Sequence, residues 1–115
     1  MDLNFVDPSE APVPPDEVRV RQLVAEPLPD QRRVKVRLSL TPFQQRPTVV
    51  VAILDGEGNK LASTTIIESV DSILEFTMHL RGPAPAGVYQ MRAAVGYEDH
   101  PEPVHAEEIS FRLNN

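Results

Sequence analysis

The 115-residue chain has no cysteine and no tryptophan. Without cysteine, disulfides, thiolate zinc sites and cysteine nucleophiles are all excluded. Aromatic residues are few, two tyrosines and four phenylalanines. That is thin material for the stacked platforms that hold sugars or single-stranded nucleic acid. Cations are also short: 11 Lys and Arg against 17 Asp and Glu leave a net charge of -6, which disfavours a phosphate backbone as partner. No apolar run approaches the length of a membrane span. The N-terminal MDLNFVDPSEAPVPPDE has neither the basic region nor the apolar stretch of a signal peptide. A cytoplasmic chain with no membrane or nucleic-acid partner is therefore expected. Catalytic motifs are missing too, with no Gly-x-Ser-x-Gly elbow, no phosphate-cradling glycine loop and no HExxH pair. The carboxylates fall on turns and outward strand faces, where nothing raises a pKa for general-acid work. Neither an enzyme nor a cofactor is expected.

What is present is a small β-domain. The length suits one domain with a real core. Residues 1–16 carry Pro8, Pro12, Pro14 and Pro15 among scattered acids. Proline keeps such a segment extended, so 1–16 is expected as a flexible arm and 17–115 as the domain. An alternative use for the arm is docking of its LNFV stretch on a neighbouring chain.

Seven runs follow that alternate apolar and polar residues, the period of a half-buried strand. EVRVRQLV (17–24) sets Val18 and Val20 inward; a helix over 16–26 is its rival, but valines at spacing two favour a strand. RVKVRLSLT (33–41) alternates most cleanly. TVVVAILD (48–55) is apolar on both faces, the mark of a central strand. KLASTTII (60–67), SILEFTMHLR (72–81), the run 88–97 and VHAEEISFRL (104–113) complete the set. In the last run Val104 and Ala106 share one parity while Ile109, Phe111 and Leu113 share the other. A β-bulge near Glu107 and Glu108 would repair that register. The fold class expected is all-β, a seven-stranded antiparallel sandwich.

The stretch GPAPAGVYQMRAAV carries a resemblance. Gly87-Val88-Tyr89 at the start of the sixth strand, with Met91, Ala93 and Val95 following on the same face, resembles immunoglobulin-like sandwiches, including cysteine-free bacterial and macroglobulin-type domains. The resemblance covers 17–113. It implies that Tyr89 turns its hydroxyl back onto the preceding loop as a tyrosine corner, and that Met91 stands where antibody domains place their second cysteine. It also implies that the second-to-third and sixth-to-seventh strand loops lie side by side.

Three surface features are candidates for function. Those two loops would gather Phe43, Gln45, Arg46, Tyr97, Asp99 and His100, residue types that anchor protein interfaces. If the first two strands pair, Arg19, Arg21, Arg33, Lys35 and Arg37 share a basic outer face. That face would suit an acidic partner, or the acidic 98–108 segment of another copy. A weaker option is metal or small-molecule binding in loop 97–105 through His100, His105 and Asp99 or Glu102. Asp55, Glu57 and Asn59 in DGEGN mimic a calcium loop, but Lys60 and Ile66 stand where glycine and a bidentate Glu are needed; a hairpin turn is the better reading. The expected function is a non-enzymatic protein-interaction module, the alternative a structural domain that forms a homodimer.

Overall fold

The computed structural model describes residues 11–81 and 84–114. Residues 1–10 of the expected arm, and Gly82 and Pro83 of the turn before the sixth strand, lie outside the described residues. Seven strands run in chain order: β1 (Val20–Pro27), β2 (Arg33–Leu40), β3 (Thr48–Leu54), β4 (Lys60–Ile66), β5 (Ile73–His79), β6 (Gly87–Gly96) and β7 (His105–Leu113). They form two antiparallel sheets, β1-β2-β5 and β4-β3-β6-β7. The helix considered over 16–26 is absent; a single 3-10 turn, Pro15–Glu17, precedes β1.

The alternation seen in the sequence becomes burial. Val34, Val36 and Leu38 of β2, and Val49, Val51 and Ile53 of β3, are fully excluded from water in one shared core. Each such side chain stabilises the fold by about 1.5–3 kcal/mol relative to exposure. Met91, Ala93 and Val95 of β6 are equally buried.

Two expectations about register are corrected. The β6–β7 ladder runs from Gly87↔Leu113 to Val95↔His105 without a shift, so no bulge interrupts β7. Instead His105 and Glu107 take the inward parity at the margin of the sheet. His105 needs no apolar replacement there, because its Nδ1 accepts the Val20 backbone N–H at 2.9 Å and links the two sheets. Register shifts lie instead between Ile53 and Leu54 in the β3–β4 pair and in β1, between Val20 and Gln22. Arg21 is the extra residue, and Leu23 rather than Gln22 then turns into the core.

Packed structure is present ahead of residue 17. Val13 bridges Phe43, donating its N–H to Pro42 O at 3.0 Å and accepting from Gln44 N at 2.9 Å. At the opposite pole Asn114 N donates to Gln31 Oε1 at 2.7 Å, beside the β1–β2 turn. The DGEGN segment is a turn: Asp55 Oδ1 accepts the N–H groups of Glu57 and Asn59 at 2.9 and 2.8 Å, and Gly58 takes the left-handed φ of 87°. Those N–H bonds, first that of Asn59, hold the Asp55 carboxyl below its ordinary range.

The corner forms as the sixth strand implied. Gly87, at φ 151°, lets the chain swing from the turn into β6. Tyr89, nearly buried, donates its hydroxyl to Pro85 O at 2.6 Å, and its ring stacks on Phe111 with centroids 6.0 Å apart. Tyr89→Phe keeps the stacking and removes the hydrogen bond, so urea unfolding should show a loss of about 1 kcal/mol with an unchanged denaturant slope.

Candidate functional site

At one pole three connections gather over the outer face of the four-stranded sheet. The β2–β3 loop (41–47), the β4–β5 loop (67–72) and the β6–β7 loop (97–104) border an open groove of about 880 Å³. That size falls within the range of about 300–1,000 Å³ typical of ligand sites. The neighbouring strand positions Val50, Ala94 and Gly96 form its floor. Small side chains there leave depth, and Val50 is 38% exposed although it sits mid-strand.

Each loop is held by its own bonds. Tyr97 donates its hydroxyl to Gln45 O at 2.9 Å, tying the β6–β7 loop to the β2–β3 loop. His100 N to Tyr97 O (2.9 Å) and Val104 N to Val95 O (2.8 Å) curl the β6–β7 segment back on itself. Ser69, 3% exposed, donates its N–H to Pro47 O at 2.8 Å and its hydroxyl to Asp71 O at 2.9 Å. Just before it Glu68 adopts φ 50°, a strained conformation for a residue with a Cβ. This pinned turn displays Ile67, 73% exposed, and Val70, 69% exposed.

Of the six loop-end residues expected together, Gln45, Arg46, Tyr97, Asp99 and His100 line this one groove. Phe43 does not; its bridge to Val13 turns it against the core instead. His100 Nδ1 lies 3.0 Å from Asp99 Oδ1, and its ring tilts against Tyr97 at 5.8 Å. Burial pushes the Tyr97 phenol above its ordinary value. Glu68, Glu98, Asp99 and Glu102 bring four carboxylates to the groove against the single arginine, Arg46. Val50, Thr65, Ile67 and Glu68 were not foreseen. The signal was present in TVVVAILD: its second apolar face has no covering layer in an antiparallel sheet.

The basic face is less basic than expected. β1 and β2 pair, but Arg21 occupies the bulge and Arg19 lies opposite Thr41, beyond the paired segment, with its guanidinium on Asp16 O and Val18 O. Opposite Arg37 and Lys35 on β1 stand Val24 and Glu26. Glu75 reaches Arg37 at 3.1 Å and Lys35 at 3.7 Å, and Arg33 pairs with Asp30 at 2.8 Å. The Arg37 hydrogen bond, then Lys35, holds Glu75 below its ordinary range; the Arg32 N–H, then Arg33, does the same for Asp30.

The histidine option in loop 97–105 loses a member, since His105 Nδ1 is engaged by Val20 N. Among the described residues no three His, Asp or Glu side chains are placed to hold a metal ion. No described helix is long and apolar enough to cross a membrane.

No family model and no curated protein sequence matches the chain. Solved structures do. A β-glucuronidase of Bifidobacterium dentium, complexed with coumarin-3-O-glucuronide, aligns with TM-score 0.58 at 16% identity, over 84% of this chain and 18% of its own. A glycosyl hydrolase family 2 member from Bacteroides cellulosilyticus gives 0.58 at 13%, over 85% and 16%. The apo β-glucuronidase of Ruminococcus gnavus gives 0.55 at 16%, over 84% and 16%. At such identities the likeness shows the β-sandwich fold alone, and the chain spans about a sixth of each enzyme.

Tyr97→Phe should lower stability by about 1 kcal/mol through the lost bond to Gln45. Because the folded phenol is held above its unfolded value, its contribution is complete below about pH 10 and is lost as pH rises through the folded value. Melting temperatures measured against alkaline pH should therefore fall less steeply for the variant than for the parent.

Proposed function

We propose that the chain is a non-enzymatic protein-interaction module of the immunoglobulin-like type, working through the groove at its loop end. The observation that carries the reading is the groove itself: an apolar floor and the exposed Ile67, with four carboxylates around them and one arginine. Exposed apolar area rimmed by charge is the mark of a protein contact. The acidic balance favours a polypeptide segment that brings a Lys or Arg beside an apolar side chain. It disfavours nucleic acid, and it disfavours the uronic acid derivative bound to the Bifidobacterium enzyme, whose carboxylate would meet like charge. The two sheets, β1-β2-β5 and β4-β3-β6-β7, and the tyrosine corner support the immunoglobulin-like assignment. That enzymes several times longer contain a segment of this shape supports the reading as a module.

Selection of a random peptide display library on the immobilised domain tests this. Enriched peptides should pair a basic residue with Leu, Ile or Phe. Ile67→Asp changes a largely exposed side chain and should keep the fold while weakening those peptides about tenfold or more. Equal binding by parent and variant, or no enrichment at all, overturns the reading.

A further inference from the structure

A two-sheet sandwich has four edge strands, and an unprotected edge is a template for pairing with another chain. Here three edges are guarded. β1 carries the bulge at Arg21 and ends on Pro27. β4 slips register opposite Ile53 and Leu54 and begins with Lys60. β7 turns His105 and Glu107 to the inward parity, with the His105 ring occupied by β1. β5, the edge of the three-stranded sheet, has none of these devices. It reads ILEFTMH, without proline, lysine or inward charge, and pairs with β2 in seven unshifted steps. Within it Ile73 is 68% exposed, and Leu74 and Phe76 are only half-buried.

The direction of its backbone groups follows from the ladder. Leu40 N donates to Ser72 O, and Leu80 N donates to Arg32 O. In an antiparallel pair such hydrogen-bonded positions alternate with non-bonded ones, so the even-numbered residues of β5 address β2. Ile73, Glu75, Thr77 and His79 therefore turn their N–H and C=O groups outward, to the edge that no described strand pairs.

We propose that a second copy of this chain pairs with β5 in antiparallel fashion about a two-fold axis at Phe76, joining two three-stranded sheets into one of six. The strand is self-complementary in this register. Ile73 falls opposite His79 of the other copy and Glu75 opposite Thr77, so the four outward-turned residues meet one another as hydrogen-bonded pairs. On the inner face Leu74 meets Met78 and Phe76 meets Phe76, covering the half-buried rings and methyls at both margins. Moving the axis to Glu75 would set two carboxylates face to face, which like-charge opposition disfavours. Closed two-fold pairing also consumes the edge on both copies, so association stops at the dimer.

Sedimentation equilibrium over a dilution series, with backbone amide exchange read by NMR at both ends of the series, tests this. The expected result is a monomer–dimer equilibrium in which the amides of Ile73, Glu75, Thr77 and His79 slow with concentration while other amides do not. Thr77→Glu places a carboxylate opposite Glu75 of the other copy twice over, and Lys35 lies beside it within its own chain. It should keep the folded circular dichroism spectrum and weaken dimerisation about tenfold. A monomer at every concentration, or a dimer that leaves those four amides fast and ignores Thr77→Glu, overturns the proposal. A monomer that instead protects these amides on adding a peptide of another sequence also overturns it, in favour of a foreign strand. The peptide-binding reading of the groove is tested at Ile67 and stands or falls separately.

Discussion

The two-residue pleat of β2 and β3 is the constraint from which everything else follows. Val34, Val36 and Leu38 on one strand, and Val49, Val51 and Ile53 on the other, are fully withdrawn from water. A shift of one residue in either would turn its apolar set to solvent and its polar set into the core. That penalty, summed over several side chains, fixes the register of the neighbours. β1 and β5 must follow β2, and β4 and β6 must follow β3. The tyrosine corner and the Val20–His105 bond then fasten margins that the pleat has already aligned.

How much of this was legible depends on what each residue interacts with. β2 through β6 are local patterns, and their ends fall within a residue or two of those expected. Tyr89 was legible because a glycine, a tyrosine and an alternating strand form one short motif. β1 and β7 were misjudged where the pattern is not local. The alternation of Val18 and Val20 gives no sign that Arg21 is extra; it shows in the ladder with β2. Similarly, the parity change in β7 is explained by a histidine that reaches another sheet 85 positions away in sequence. Phe43 was misplaced for the same reason, since its partner Val13 lay in a segment that composition alone describes as an arm.

Charge shows how far a sequence count differs from a surface. Arg33, Lys35 and Arg37 are aligned on one face, yet Glu75 and Asp30 answer them, and such exposed pairs contribute little stability. Their effect is to neutralise that face. Among the described residues that line the groove at the loop pole, Arg46 is the one cation beside four carboxylates, so the local field there is negative. Under the proposed function, a partner carrying positive charge would be steered there before any contact forms.

The positions at which Val13 and Asn114 are tied have a mechanical consequence. Val13 is tied beside the β2–β3 loop at one pole, and Asn114 beside the β1–β2 turn at the other. Tension applied between these points draws β1 and β7 lengthwise in opposite directions. The ladders of β1 on β2 and of β7 on β6 then resist as rows of hydrogen bonds loaded together, in shear, not one at a time as in peeling. Force applied between Val13 and Asn114 is therefore met along the strands before either ladder opens.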